Sequence, residues 1–66
     1  MTLEAFTTSA LAIAARADAA TTNEERTAII ANIHQLVRYT PASFGLDVKT
    51  ALFALEDRLN ALRAVA

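Results

Sequence analysis

The sequence predicts an all-α fold: a helical hairpin plus a third helix, one three-helix domain over residues 1–66. Three observations predict it. One glycine and one proline stand against sixteen alanines, a composition suited to helices joined by short turns and not to sheets. Three stretches repeat apolar side chains at steps of three and four, the spacing that keeps them on one side of a helix. Capping and breaking residues fall at the boundaries of those stretches, at Thr2, at Thr22 to Glu25 and at Pro41.

The first helix is expected over about residues 3–20, capped by Thr2, with Glu4 in the first turn where the positive end of the helix dipole favours a carboxylate. Leu3, Phe6, Ala10, Ile13 and Ala17 form its stripe, and the alanines in it allow close approach. A secretory leader would open on positive charge over a longer apolar run. Here Glu4 comes early and the run Ala10 to Ala15 is six residues, so no leader is expected and a cytoplasmic location is. Arg16 and Asp18 interrupt the apolar stretch well short of the roughly twenty residues that a membrane span requires.

The second helix is expected over about 23–39. Thr22 followed by Glu25 has the capping-box spacing, and Glu24 and Glu25 both fall in the first turn. One rod running from residue 3 to Tyr39 is the alternative, since neither Gly nor Pro separates the first two helices. Its two stripes, Leu3–Ala17 and Ile29, Ile30, Ile33, Leu36 and Val37, would lie about 160° apart and need partners on opposite sides. A hairpin turns both toward one core and is the preferred reading. Pro41 disfavours the helical conformation at Thr40, so the helix should stop near Tyr39 with Arg38 beside its negative end.

Pro41 to Gly45 is the one real loop, with Phe44 expected either to plug the core or to face a partner. The third helix is expected over about 46–65, with Ser43 or Asp47 as possible caps. Val48, Leu52, Leu55, Leu59, Leu62 and Ala66 form a seam at alternating steps of four and three. Leu52, Leu55, Leu59 and Leu62, with Ile29, Ile33 and Leu36, are the expected core or dimer seam. Phe53 and Leu46, seven residues apart, fall roughly 145–165° around the helix from that seam. Apolar side chains on both faces of one helix imply either burial on two sides within an oligomer or an aromatic offered to a partner.

Self-association is expected on energetic grounds as well. Below roughly 70–80 residues a core rarely supplies more than about 3–5 kcal/mol. The chain has no cysteine for a disulfide or a thiolate metal site, and alanine makes up nearly half of its 55% apolar content. Burying apolar surface against a second copy is the remaining common remedy, so a homodimer is expected.

Chemistry is not expected. His34 is the only histidine and has no carboxylate at the helical spacings that make ligand pairs, so neither a metal nor a cofactor is predicted. Ser9, Ser43, His34 and Asp47 show no spacing that would assemble a nucleophile with its base, and Gly45 alone cannot make a phosphate cradle. Glu24–Glu25 and Glu56–Asp57 are sequence neighbours that diverge by about 100° around a helix, and so read as helix-start and solvent-face charges. The formal charge of −1 and the scatter of basic residues argue against nucleic acid, and no helix has the basic polar face that membrane-surface binding needs.

The expected function is therefore non-enzymatic. It is a small protein–protein interaction module, a regulatory antagonist or adaptor, that pairs with itself and binds another protein through an exposed helix face. Phe53, Leu46, Tyr39, Arg38 and Phe44 are the candidate interface residues, since aromatic and Arg anchors dominate such contacts. The alternatives are an oligomer with a small-ligand pocket between protomers, built around Arg38 and His34, and a small helical RNA-binding dimer.

Overall fold

The computed structural model describes residues 1–65; Ala66, the last position of the expected leucine seam, lies outside them. It contains helices α1 (Leu3–Ala19), α2 (Asn23–Arg38) and α3 (Leu46–Val65) and, among the described residues, no strand. Each helix packs on the other two. The molecule measures 36 × 18 × 16 Å, the dimensions of three helices side by side, since a 20-residue helix alone spans about 30 Å.

Local chemistry sets the ends of α1 and α2. Thr2 is extended and its hydroxyl accepts from the Ala5 N–H at 3.1 Å, satisfying one of the donors that a helix start leaves free. At α2 the Thr22 hydroxyl accepts from the Glu25 N–H at 3.1 Å and donates to the Glu25 carboxylate at 3.0 Å. The Thr21 hydroxyl donates to the same carboxylate oxygen at 3.2 Å. Two hydroxyls on one exposed carboxylate hold it below the ordinary carboxylate range, the Thr22 hydroxyl most strongly. Between the two helices Ala20 is extended, so the chain turns back in a hairpin and does not continue as a rod. Helix α2 stops one residue before Tyr39, and Thr40 closes it by donating both its N–H and its hydroxyl to the Val37 carbonyl.

The connection into α3 turns on Gly45, whose φ of +60° lies in the left-handed region. A Cβ at this position would come within 2.7 Å of the Phe6 ring, so glycine is required by space as well as by conformation. Helix α3 begins directly after Gly45. Asp47 therefore falls inside the first turn and Ser43 falls in the loop, and neither occupies the expected capping position.

The core consists of Phe6, Ala10, Ile13 and Ala17 from α1, Ile29 and Ile33 from α2, and Leu52, Leu55 and Leu59 from α3. Ile30, Leu36, Val37, Phe44 and Val48 pack against it half-buried. One further expectation is corrected, and one buried cation is new. Leu3 is 55% exposed, because it opens α1 three residues before Phe6, the first core residue, and lies over the loop at Gly45. Lys49 is buried, because it crosses the end of the core to reach the loop, and its ammonium donates to the Pro41 carbonyl at 2.6 Å.

Candidate functional site

A groove of about 600 Å³, open to solvent, lies along the C-terminal half of α2 with Phe53 of α3 at its edge. Ala31, His34, Gln35 and Arg38 recur at steps of three, one and three, which places them on one face of α2. Val37 and Tyr39 complete that wall, and Phe53 supplies the facing wall from α3. Arg38 sits in the last turn of α2, where a cation is favoured beside the unpaired carbonyls, and it makes no ion pair among the described residues.

At the same junction the His34 Nε2 meets the Glu56 carboxylate, one turn beyond Phe53. Glu56 is therefore half-buried and paired across helices, which corrects its assignment as a solvent-face charge. Twenty-two residues separate the two, so no local spacing could have announced the pair. Among the described residues no group of three or more His, Cys, Asp and Glu side chains is placed to hold a metal ion.

Of the five candidate interface residues the structure brings three together. Phe53, Tyr39 and Arg38 line this groove, with Phe53 45% and Tyr39 75% exposed. Leu46 is also exposed but stands two turns before Phe53 on α3, outside the groove. Phe44 is drawn inward and packs edge-on against Phe6, with ring centroids 5.4 Å apart and planes at 61°. The expected core or dimer seam also divides. Ile29, Ile33, Leu52, Leu55 and Leu59 are buried within the protomer and Leu36 is half-buried, whereas Leu62 is 46% exposed.

A second groove, of about 510 Å³, lies between α1 and α3, with buried Ala10, Leu52 and Leu55 at its base and exposed Leu11, Ala51, Ala54 and Arg58 along its rim. The sequence reading found its base, Leu52 and Leu55, as part of the α3 seam but not its rim, because Leu11, Ala51 and Ala54 lie outside the stripes of α1 and α3. Arg58 reaches Asp18 across its end at 3.5 Å. With Gly45 under Phe6 at the opposite end, this contact fixes α1 and α3 as parallel. No helix among the described residues is long and apolar enough to cross a membrane. Compared with family models, curated proteins and solved structures, the chain shows no match in any of the three.

Proposed function

We propose that this chain is a non-enzymatic interaction protein, a homodimer that docks another protein into the α2/α3 groove and acts as an antagonist or adaptor. One observation carries the reading: Phe53, Tyr39 and Arg38, from two helices, line a single open groove. Aromatic rings and arginine are prominent among the anchors of protein interfaces, and a half-exposed phenylalanine beside a guanidinium with no ion pair among the described residues combines both anchor types. The groove falls within the roughly 300–1,000 Å³ range of small-ligand sites, but it is a trough open to solvent and does not bury a ligand as those sites do. A helix laid lengthwise fits such a trough better.

The test is affinity capture from the native host with wild type and Phe53→Asp side by side, after both are shown to have the same helical content and melting temperature. A protein retained by wild type and lost with Phe53→Asp supports the reading. Equal retention by both removes the groove from it, and stabilisation by one small anionic metabolite at micromolar concentration would replace the reading with a ligand-binding one.

A further inference from the structure

Helix α3 carries a second exposed stripe that the core does not use. Asp47, Ala51, Ala54 and Arg58 follow one another at steps of four, three and four, which keeps them within about 60° of arc on one side of the helix. All four are exposed. The last three line the α1/α3 groove, whose other wall carries Leu11, 66% exposed.

The stripe is palindromic in position and inverted in charge. Turned end over end about a two-fold axis midway between Ala51 and Ala54, a second copy sets its Ala54 against Ala51. The same operation sets its Arg58 against Asp47, and symmetry repeats both pairings. We propose that a second copy of this chain occupies this face, α3 antiparallel to α3, closing the homodimer. The inference rests on the dimer of the reading above and gives it a surface and a direction.

Methyl side chains at the centre let the two helix backbones approach closely, and Leu11 on the rim adds apolar area at the same level. Charge selects the direction. A parallel pairing of the same stripe would oppose Asp47 to Asp47 and Arg58 to Arg58. Glu4 and Asp18 lie seven residues either side of Leu11 on α1, so an antiparallel contact centred on α1 would bring these acids together. Centring the contact on α3 leaves them at the rim. The Asp18–Arg58 pair within one protomer does not hold Arg58 back, since both side chains are more than 60% exposed and such pairs are weak.

Light scattering coupled to size exclusion tests the proposal. Wild type should show about twice the 7.1 kDa chain mass. Ala51→Glu, at an exposed helical position, should give the single-chain mass with unchanged helical content. Asp47→Lys should raise the dimer dissociation constant about tenfold, because it turns two attractions into repulsions, and adding Arg58→Glu should restore it to within about threefold. Phe53→Asp should keep the dimer mass, so loss of partner docking is distinguishable from loss of self-association. A wild-type monomer at micromolar concentration overturns the proposal. So does an Ala51→Glu dimer, an Asp47→Lys dimer as tight as wild type, or a double variant no tighter than Asp47→Lys.

Discussion

The Lys49 ammonium donates to the Pro41 carbonyl at 2.6 Å, tying the first turn of α3 to the start of the loop that delivers it. The side chain is only 6% exposed, so this bond forms largely away from water. A hydrogen bond from a charged donor contributes roughly 1.5–3 kcal/mol, and removing the donor leaves the Pro41 carbonyl with the Phe44 N–H, 3.0 Å away, as its partner. Lys49→Met, which keeps the aliphatic stem, should therefore lower unfolding stability by about 1–3 kcal/mol in urea titrations followed by circular dichroism. Stability equal to wild type would reduce the contact to an incidental one.

Gly45 should be the least replaceable position in the loop. Gly45→Ala places a methyl group against the Phe6 ring in a left-handed conformation. The two penalties are about 1–2 kcal/mol for the backbone and about 1–3 kcal/mol for overpacking. Their sum approaches the whole stability expected of a chain this short, so the variant should melt below wild type by a wide margin or fail to fold. Ser43→Ala, in the same loop but without a left-handed backbone, is the control and should melt like wild type.

Core and surface apolar residues on α3 should separate cleanly. Leu59 is 1% exposed, and Leu59→Ala should cost about 2–5 kcal/mol, enough to unfold much of the population. Phe53 is 45% exposed, and Phe53→Ala should leave a folded protein with a loss of about 1 kcal/mol or less. Thermal melts of the two variants decide this, and comparable losses would place Phe53 in the core.

Acid should weaken the start of α2 through Glu25. Its carboxyl is held below the ordinary range by the Thr22 hydroxyl first and by Thr21 next, so the folded chain binds this proton less readily than the unfolded one. The stabilisation is present above the unfolded carboxyl value of about 4.3 and is lost as pH falls through the lower folded value. Melting temperature should drop less steeply below about pH 4.3 in Glu25→Gln than in wild type. Parallel curves would show that the two threonines do not bind the charged form preferentially.

These cases divide by how far apart in the chain their causes lie. The caps at Thr2 and Thr22, the break before Pro41 and the stripes of α1 and α2 arise within a few residues, and spacing alone reveals them. The leucines at 52, 55 and 59 were legible for the same reason. What escaped depends on distant segments meeting. Lys49 reads as an ordinary surface cation until α3 folds across the loop, and Glu56 reads as solvated until α2 brings His34 to it. Leu3 looks like the first member of a buried stripe, but nothing local says that the core stops short of it. The rim of the α1/α3 groove escaped differently: Leu11, Ala51 and Ala54 fall outside the apolar stripes, so no periodicity joins them until α1 and α3 pack. For the interface set, residue type nominated Phe53, Tyr39, Arg38, Leu46 and Phe44 together, and only the packing sorted the groove-lining three from the other two.

The chain has one tyrosine and no tryptophan. That tyrosine, Tyr39, stands three-quarters exposed on the wall of the α2/α3 groove. Its tyrosine emission therefore comes from a single known place, and a ligand free of tyrosine and tryptophan settling into the trough would change the surroundings of that ring. The protein carries its own optical reporter for the surface on which its proposed activity depends, and titrations can be followed without a dye or an added label.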